Sequence, residues 1–238
     1  MWLGGKLPQE FERYVESWYT HHPDWTILFW TDNEKNYDRG TKIVRSFDDL
    51  SKLLSEEQPA QRIVIDSRNL QYDNKIFYDQ AVNYGEKSDI LKWEIVYRFG
   101  GVYVDTDFEC LKPLDPFHYT YDFYTGIQPL DTNMVQLGAA LYGAIPGHPI
   151  MQACVENIKY NQDIKQIIVK TGPIHFTKMF ITLAGKTGLR DVALPTSYLY
   201  PCAYEQRGLS KEEWVKNESF AVHHWAGSWL KPEAFVRT

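Results

Sequence analysis

Ser88-Asp-Ile-Leu-Lys-Trp-Glu-Ile-Val-Tyr-Arg-Phe-Gly-Gly-Val-Tyr-Val-Asp-Thr-Asp107 is the stretch that decides the fold. It reads as a helix, a diglycine break and a strand that ends in two carboxylates. Ser88 fits an N-cap, and Asp89 in the first turn suits the helix dipole. Ile90, Leu91, Trp93, Ile95, Val96 and Tyr97 recur at helical spacing. Gly100-Gly101 ends the helix, because glycine readily takes the left-handed conformation of a C-terminal cap. In the strand, Val102 and Val104 point to one face, and Tyr103, Asp105 and Asp107 to the other. Two carboxylates delivered to a strand end suit a divalent cation. The spacing alone is weak, since 16 aspartates in 238 residues give about one Asp-x-Asp pair by chance. An ordinary turn at a strand end is the alternative.

The order Ser-Asp-Ile-Leu-x-x-Glu-x-x-Tyr-x-x-Gly-Gly-Val-Tyr-x-Asp-x-Asp resembles the sugar-binding region of the family-32 glycosyltransferases. Trp2-Leu-Gly-Gly5, Thr171-Gly-Pro173 and Ala221-Val-His-His-Trp-Ala-Gly-Ser-Trp229 are similar to further segments of that family, in the family's order. The resemblance implies a single-domain GT-A fold over residues 1–238: α/β, Rossmann-like, with a mixed, mainly parallel sheet flanked by helices. It also implies a retaining transferase that moves a hexose from a nucleotide sugar to a saccharide or glycolipid acceptor. UDP-hexoses and GDP-mannose are the donors to expect, with Mn2+ or Mg2+ as the cofactor. A nucleotide-sugar hydrolase and a non-catalytic nucleotide-sugar-binding module are the rival readings.

Carried over residue by residue, Asp107 is the direct metal ligand. Asp105 is its partner at the metal or the donor ribose, and His223 completes the metal set with His224 in reserve. Asp89 and Lys92 meet the donor sugar, Tyr103 lines the donor pocket, and Trp2 stacks on the base. Ser228 and Trp229 close over the nucleotide. The family usually has arginine where this chain has Lys92, and lysine lacks the planar fork that grips two oxygens.

Composition fits this reading. A net charge of −6, with no basic stripe, argues against a nucleic-acid surface. Cys110, Cys154 and Cys202 have no metal-site or redox spacing, which suggests a reduced, cytoplasmic protein. No apolar run is long enough for a membrane span, so any membrane association, for instance at the inner face, is expected to be peripheral. The expected first strand before Trp2 is missing from the sequence. His21, His22, His118, His148 and His175 show no ligand spacing and are read as structural.

The remaining elements alternate. Helices are expected over 8–19, 47–57, 73–84 and 149–160, from 173 onward, and after Ser210, which fits a capping box. Strands are expected over 25–30, 119–127, 134–142, 192–194, 198–200 and 220–225. The stretch between 57 and 73 has no clear reading.

Overall fold

A computed structural model describes residues 1–36, 42–56, 62–130 and 134–228. The strands are β1 (Ile27–Thr31), β2 (Lys42–Val44), β3 (Arg62–Asp66), β4 (Gly101–Val104), β5 (Phe108–Cys110), β6 (Phe123–Ile127), β7 (Leu137–Ala144), β8 (Asp191–Leu194) and β9 (Ala221–His223). The helices are α1 (Gln9–His21), α2 (Phe47–Leu54), α3 (Lys75–Gln80), α4 (Tyr84–Phe99), α5 (Asp115–His118), α6 (Pro149–Glu156), α7 (Ile167–Lys170), α8 (Pro173–Leu183), α9 (Thr196–Leu199) and α10 (Lys211–Trp214). The architecture is α/β with mixed sheets, as the sequence implies. Parallel pairing dominates only the first sheet, ordered β1-β3-β2. The second, β4-β7-β6-β8, is antiparallel except where β6 meets β8, and β5 pairs antiparallel with β9.

Helix α4 is the central helix, and it starts a turn earlier than expected. Asn83 is the N-cap, with its side chain accepting from the N–H groups of Gly85 (2.7 Å) and Glu86 (3.4 Å). Ser88 is therefore inside the helix, and Asp89 lies beyond the first turn. The cap ends the preceding helix too: α3 stops at Gln80 and Ala81 is extended, so residues 73–84 are not one helix. Ile90, Leu91, Trp93 and Val96 are fully or almost fully buried. The buried Glu94 accepts both the backbone N–H (2.9 Å) and the side-chain amide (2.7 Å) of Asn74.

Gly100 (φ 66°, ψ −153°) and Gly101 (φ 86°) then turn the chain into β4. β4 lies against β7, whose eight residues are all buried. A bulge interrupts the β6–β7 register after Thr125, and Thr125 Oγ1 donates to Gly138 O (2.9 Å) and Leu141 O (3.2 Å) there. The bulged segment carries Ala139 and Ala140 into the floor of a cavity. Such bulges commonly re-aim a strand beside a functional site.

Two further expectations change. Residues 198–200 belong to α9 and its cap, not to a strand. Tyr200 is a buried pillar whose ring fills the space that side chains at Gly126 and Gly138 would need, and its hydroxyl accepts from Leu141 N (3.0 Å). Ser210 makes no side-chain cap for α10; its hydroxyl turns to Glu212 instead. Among the described residues no helix is long and apolar enough to cross a membrane.

The histidines read as structural have an energetic consequence. His22 Nε2 accepts from Leu114 N (2.8 Å), His148 Nδ1 from Ile150 N (3.2 Å), and His175 Nδ1 from the Asn161 amide (3.0 Å). Protonation would place a second N–H against each donor. Burial, before any other cause, holds all three and His118 below the ordinary value of 6.5. The unfolded chain therefore takes up protons first as pH falls through 6.5, and the stability present above that pH is lost progressively below it. Thermal melting should show a lower midpoint at pH 5.5 than at pH 7, with net proton uptake on unfolding. A midpoint that rises over this interval would show that these imidazoles are not held neutral.

Candidate active site

The cavity has a volume of about 990 Å³ and is lined by Trp2, Asp89, Lys92, Asp105, Asp107, His223 and Ser228 among others. Seven of the residues singled out from sequence thus border one space. Its central feature is set by strand register. β5 and β9 place Phe108 opposite His223, and His224 N donates to Asp107 O (2.9 Å). His223 Nε2 then lies 3.3 Å from Asp107 Oδ2. Ligand atoms of Asp105, Asp107 and His223 all fall within 4.8 Å of one another. The His223 ring is held by stacking on Phe108 (4.9 Å, 8°) and contact with Trp225 (4.2 Å). Among the described residues its buried Nδ1 has no hydrogen-bond partner, so stacking rather than a hydrogen bond to Nδ1 aims the ring. Two carboxylates and an imidazole form a donor set that fits a divalent ion such as Mn2+ or Mg2+.

Neighbours fix both carboxylates. Tyr103 Oη donates to Asp105 Oδ1 (2.6 Å), and Asp105 N donates to Ala140 O (2.8 Å). Ala226 N donates to Asp107 Oδ2 (2.9 Å). Burial pushes the Asp107 carboxyl up, but the His223 charge and hydrogen bond, with the Ala226 N–H, bring it below the usual range. Tyr103 itself is buried behind Asp105 and is not among the cavity-lining residues.

Asp89 and Lys92 form a buried pair one helical turn apart, at 2.6 Å. Thr171 Oγ1 also donates to Asp89 Oδ2 (3.2 Å), and Thr171 O accepts from Trp93 Nε1 (2.8 Å). Burial raises the Asp89 carboxyl, against the opposing pull of Lys92. The Lys92 ammonium also lies over the rings of Trp93 (4.8 Å) and Tyr103 (5.3 Å). In the sequence Thr171 stands out only as part of the Thr171-Gly-Pro173 motif, and no local signal assigns its hydroxyl to Asp89.

The two C-terminal histidines separate by strand alternation. His223 faces the carboxylates, while His224 Nε2 meets Glu109 (2.8 Å) and its ring stacks on Tyr14 (4.1 Å). Trp2 N donates to Trp30 O (2.9 Å), laying the first residues beside β1, and Gly4 N donates to Asp32 Oδ1 (2.8 Å). Gly4 lines the cavity and is constrained by its own neighbours. It has φ 86°, and a Cβ there would lie 2.4 Å from the Tyr84 ring. Ser228 borders the cavity, and Trp229 lies outside the described residues.

Residues 8–124 match the family described as "Glycosyltransferase sugar-binding region containing DXD motif", the same family that the sequence motifs resemble. It is similar to inositol phosphoceramide mannosyltransferase 1 of Schizosaccharomyces pombe, 24% identical over 188 residues, covering 76% of this chain and 49% of that protein. It is also similar to human alpha-1,4-N-acetylglucosaminyltransferase, 25% identical over 89% of this chain and 65% of that protein. The chain spans about half the length of several curated relatives it matches. Its fold is similar to that of the PaToxG glycosyltransferase, with a TM-score of 0.53 and 17% identity over 76% of this chain and 66% of that one. The fold is of the GT-A class.

Proposed function

We propose that this protein is a metal-dependent, retaining glycosyltransferase that moves a hexose from a nucleoside-diphosphate sugar to a saccharide or glycolipid acceptor. The observation that carries the reading is the convergence of Asp105, Asp107 and His223 in the cavity that also holds the Asp89–Lys92 pair. Asp107, Asp105 and His223 would hold the ion. A divalent ion bound there would neutralise the charge that develops on the departing diphosphate.

The chain's own residues do the rest. Lys92 and Thr171 hold Asp89 in place, so that its remaining lone pairs can accept hydroxyls of the donor sugar. Trp2 offers a ring for the base, and Ser228 borders the nucleotide side. In the reaction the acceptor hydroxyl oxygen bonds to the anomeric carbon as the bond to the diphosphate oxygen breaks. The hydroxyl proton passes to a departing phosphate oxygen, so no enzymic base is named. Donors are UDP-hexoses or GDP-mannose. Three buried free thiols favour a reducing, cytoplasmic setting.

Product analysis tests the reading. With Mn2+, a panel of UDP- and GDP-sugars and a mixture of sugar acceptors, a glycosylated product of retained configuration is expected. Release of free sugar alone, unaffected by any acceptor, would instead identify a nucleotide-sugar hydrolase. Nucleotide binding with no turnover would identify a binding module.

A further inference from the structure

Donor and metal account for only part of the cavity lining. Its floor is β7, where Ala140 O receives Asp105 N and so marks the metal end. Gln136 lies four residues before Ala140, a span of at most about 13 Å of strand. Gln136 lines the cavity together with Gln128, and Glu205 contributes from the 3-10 turn Tyr204–Gln206. The two glutamines are paired twice. Gln128 N donates to Gln136 O (2.8 Å), and Gln136 Nε2 donates to Gln128 Oε1 (2.8 Å). This pairing leaves Gln128 Nε2 and Gln136 Oε1 without side-chain partners among the described residues. The exposed Glu205 carboxylate makes no ion pair among them either.

We infer that Gln128, Gln136 and Glu205 form the acceptor subsite, and that its ligand is a neutral sugar ring. This rests on the donor assignment above. Each sugar hydroxyl both donates and accepts, and adjacent hydroxyls match an amide N–H beside an amide carbonyl. The mutual hydrogen bond fixes the two amides before the ligand arrives, which lowers the entropy cost of binding. The Glu205 carboxylate adds acceptors for hydroxyls and disfavours an anionic ring by charge repulsion. Ala139 and Ala140 keep the floor between the subsites low, so that two rings can lie end to end over it.

The test is saturation-transfer NMR with methyl α-mannoside, methyl β-galactoside, methyl β-glucoside and methyl β-glucuronide, with UDP or GDP and Mn2+ present. At least one neutral glycoside is expected to bind the wild-type chain. Gln128→Leu and Gln136→Leu should weaken that binding about tenfold, the scale of one well-formed hydrogen bond. The glucuronide should bind more weakly than the glucoside, and the surface change Glu205→Gln should narrow that gap even if a Leu variant fails to fold. Equal binding by wild type and the Leu variants, no gap for Glu205→Gln to narrow, or no glycoside binding by the wild type would each overturn the inference. Failure of the donor reading shows separately, as absence of any nucleotide-dependent melting shift.

Discussion

Asp107→Asn is expected to lower kcat for sugar transfer by at least about 10³-fold, or ~4 kcal/mol of transition-state stabilisation. The substitution keeps the size and most of the hydrogen bonding of the side chain. An amide oxygen can still accept from Ala226 N, so the tail beyond β9 keeps its backbone anchor. What disappears is the charge that, with Asp105 and His223, would hold a cation. Transfer and metal dependence should therefore vanish together while the melting temperature stays close to wild type. Retention of most metal-dependent activity by Asp107→Asn would place the cation elsewhere.

Gly100→Ala is expected to have the largest effect on stability. Gly100 has φ 66° and ψ −153°, a region that side-chain-bearing residues rarely enter. A Cβ there would also lie 2.6 Å from Pro146 Cδ, 2.7 Å from Pro146 N and 2.9 Å from Ala144 O. Two of those atoms are backbone, so a rotamer change cannot relieve the crowding. Strain and overpacking together should cost about 3 kcal/mol, lowering the melting midpoint of a chain this size by about 6–12 °C. Gly101→Ala is a useful contrast. It has the same left-handed sign but a Cβ there meets nothing within 4 Å among the described residues, so its loss should be smaller. Equal melting of the two variants would show that the crowding against Pro146 has no energetic weight. Because Gly100 sets the direction of β4, its loss also displaces the carboxylates that follow.

The parts of the fold legible in sequence are those specified locally. A buried helix, two glycines and a strand need no distant partner to be recognised, although the strand stops at Val104 and Asp105 and Asp107 sit in the turn that leads to β5, where Phe108 N donates to Asp105 O. Helix starts were harder because several residues compete to cap. Ser88 is a good cap by type, but Asn83 stands earlier and takes the amides of Gly85 and Glu86. Strand β3 escaped reading because Ile63-Val64-Ile65 is buried on both faces and shows no alternation. Tyr198-Leu199-Tyr200 has strand-like residue types, yet the glycines at 126 and 138 make a cavity for Tyr200 that only tertiary structure reveals.

In the candidate site, the difference between His223 and His224 was reducible to strand alternation but not to a choice of face. The β5–β9 register makes that choice by setting His223 beside Asp107 and His224 beside Glu109. Thr171 reaches Asp89 from far along the chain, Gln128 and Gln136 border the cavity as a pair joined across neighbouring strand ends, and residue type alone does not single any of them out. The motifs point to Trp2, Asp89 and Lys92, and the cavity places them on one lining with the carboxylates.

The central claim is that one cavity takes a nucleoside diphosphate through a cation held by Asp107. Its most direct measurement is the melting temperature of the wild-type chain and Asp107→Asn with UDP or GDP, each with and without Mn2+. Ligand that binds only the folded state raises stability with the logarithm of its excess over Kd. One of the two nucleotides should raise the wild-type midpoint strongly only when Mn2+ is present, and the rise should disappear in Asp107→Asn. No shift with either nucleotide, or an equal shift without Mn2+ or without the Asp107 carboxylate, would contradict the claim.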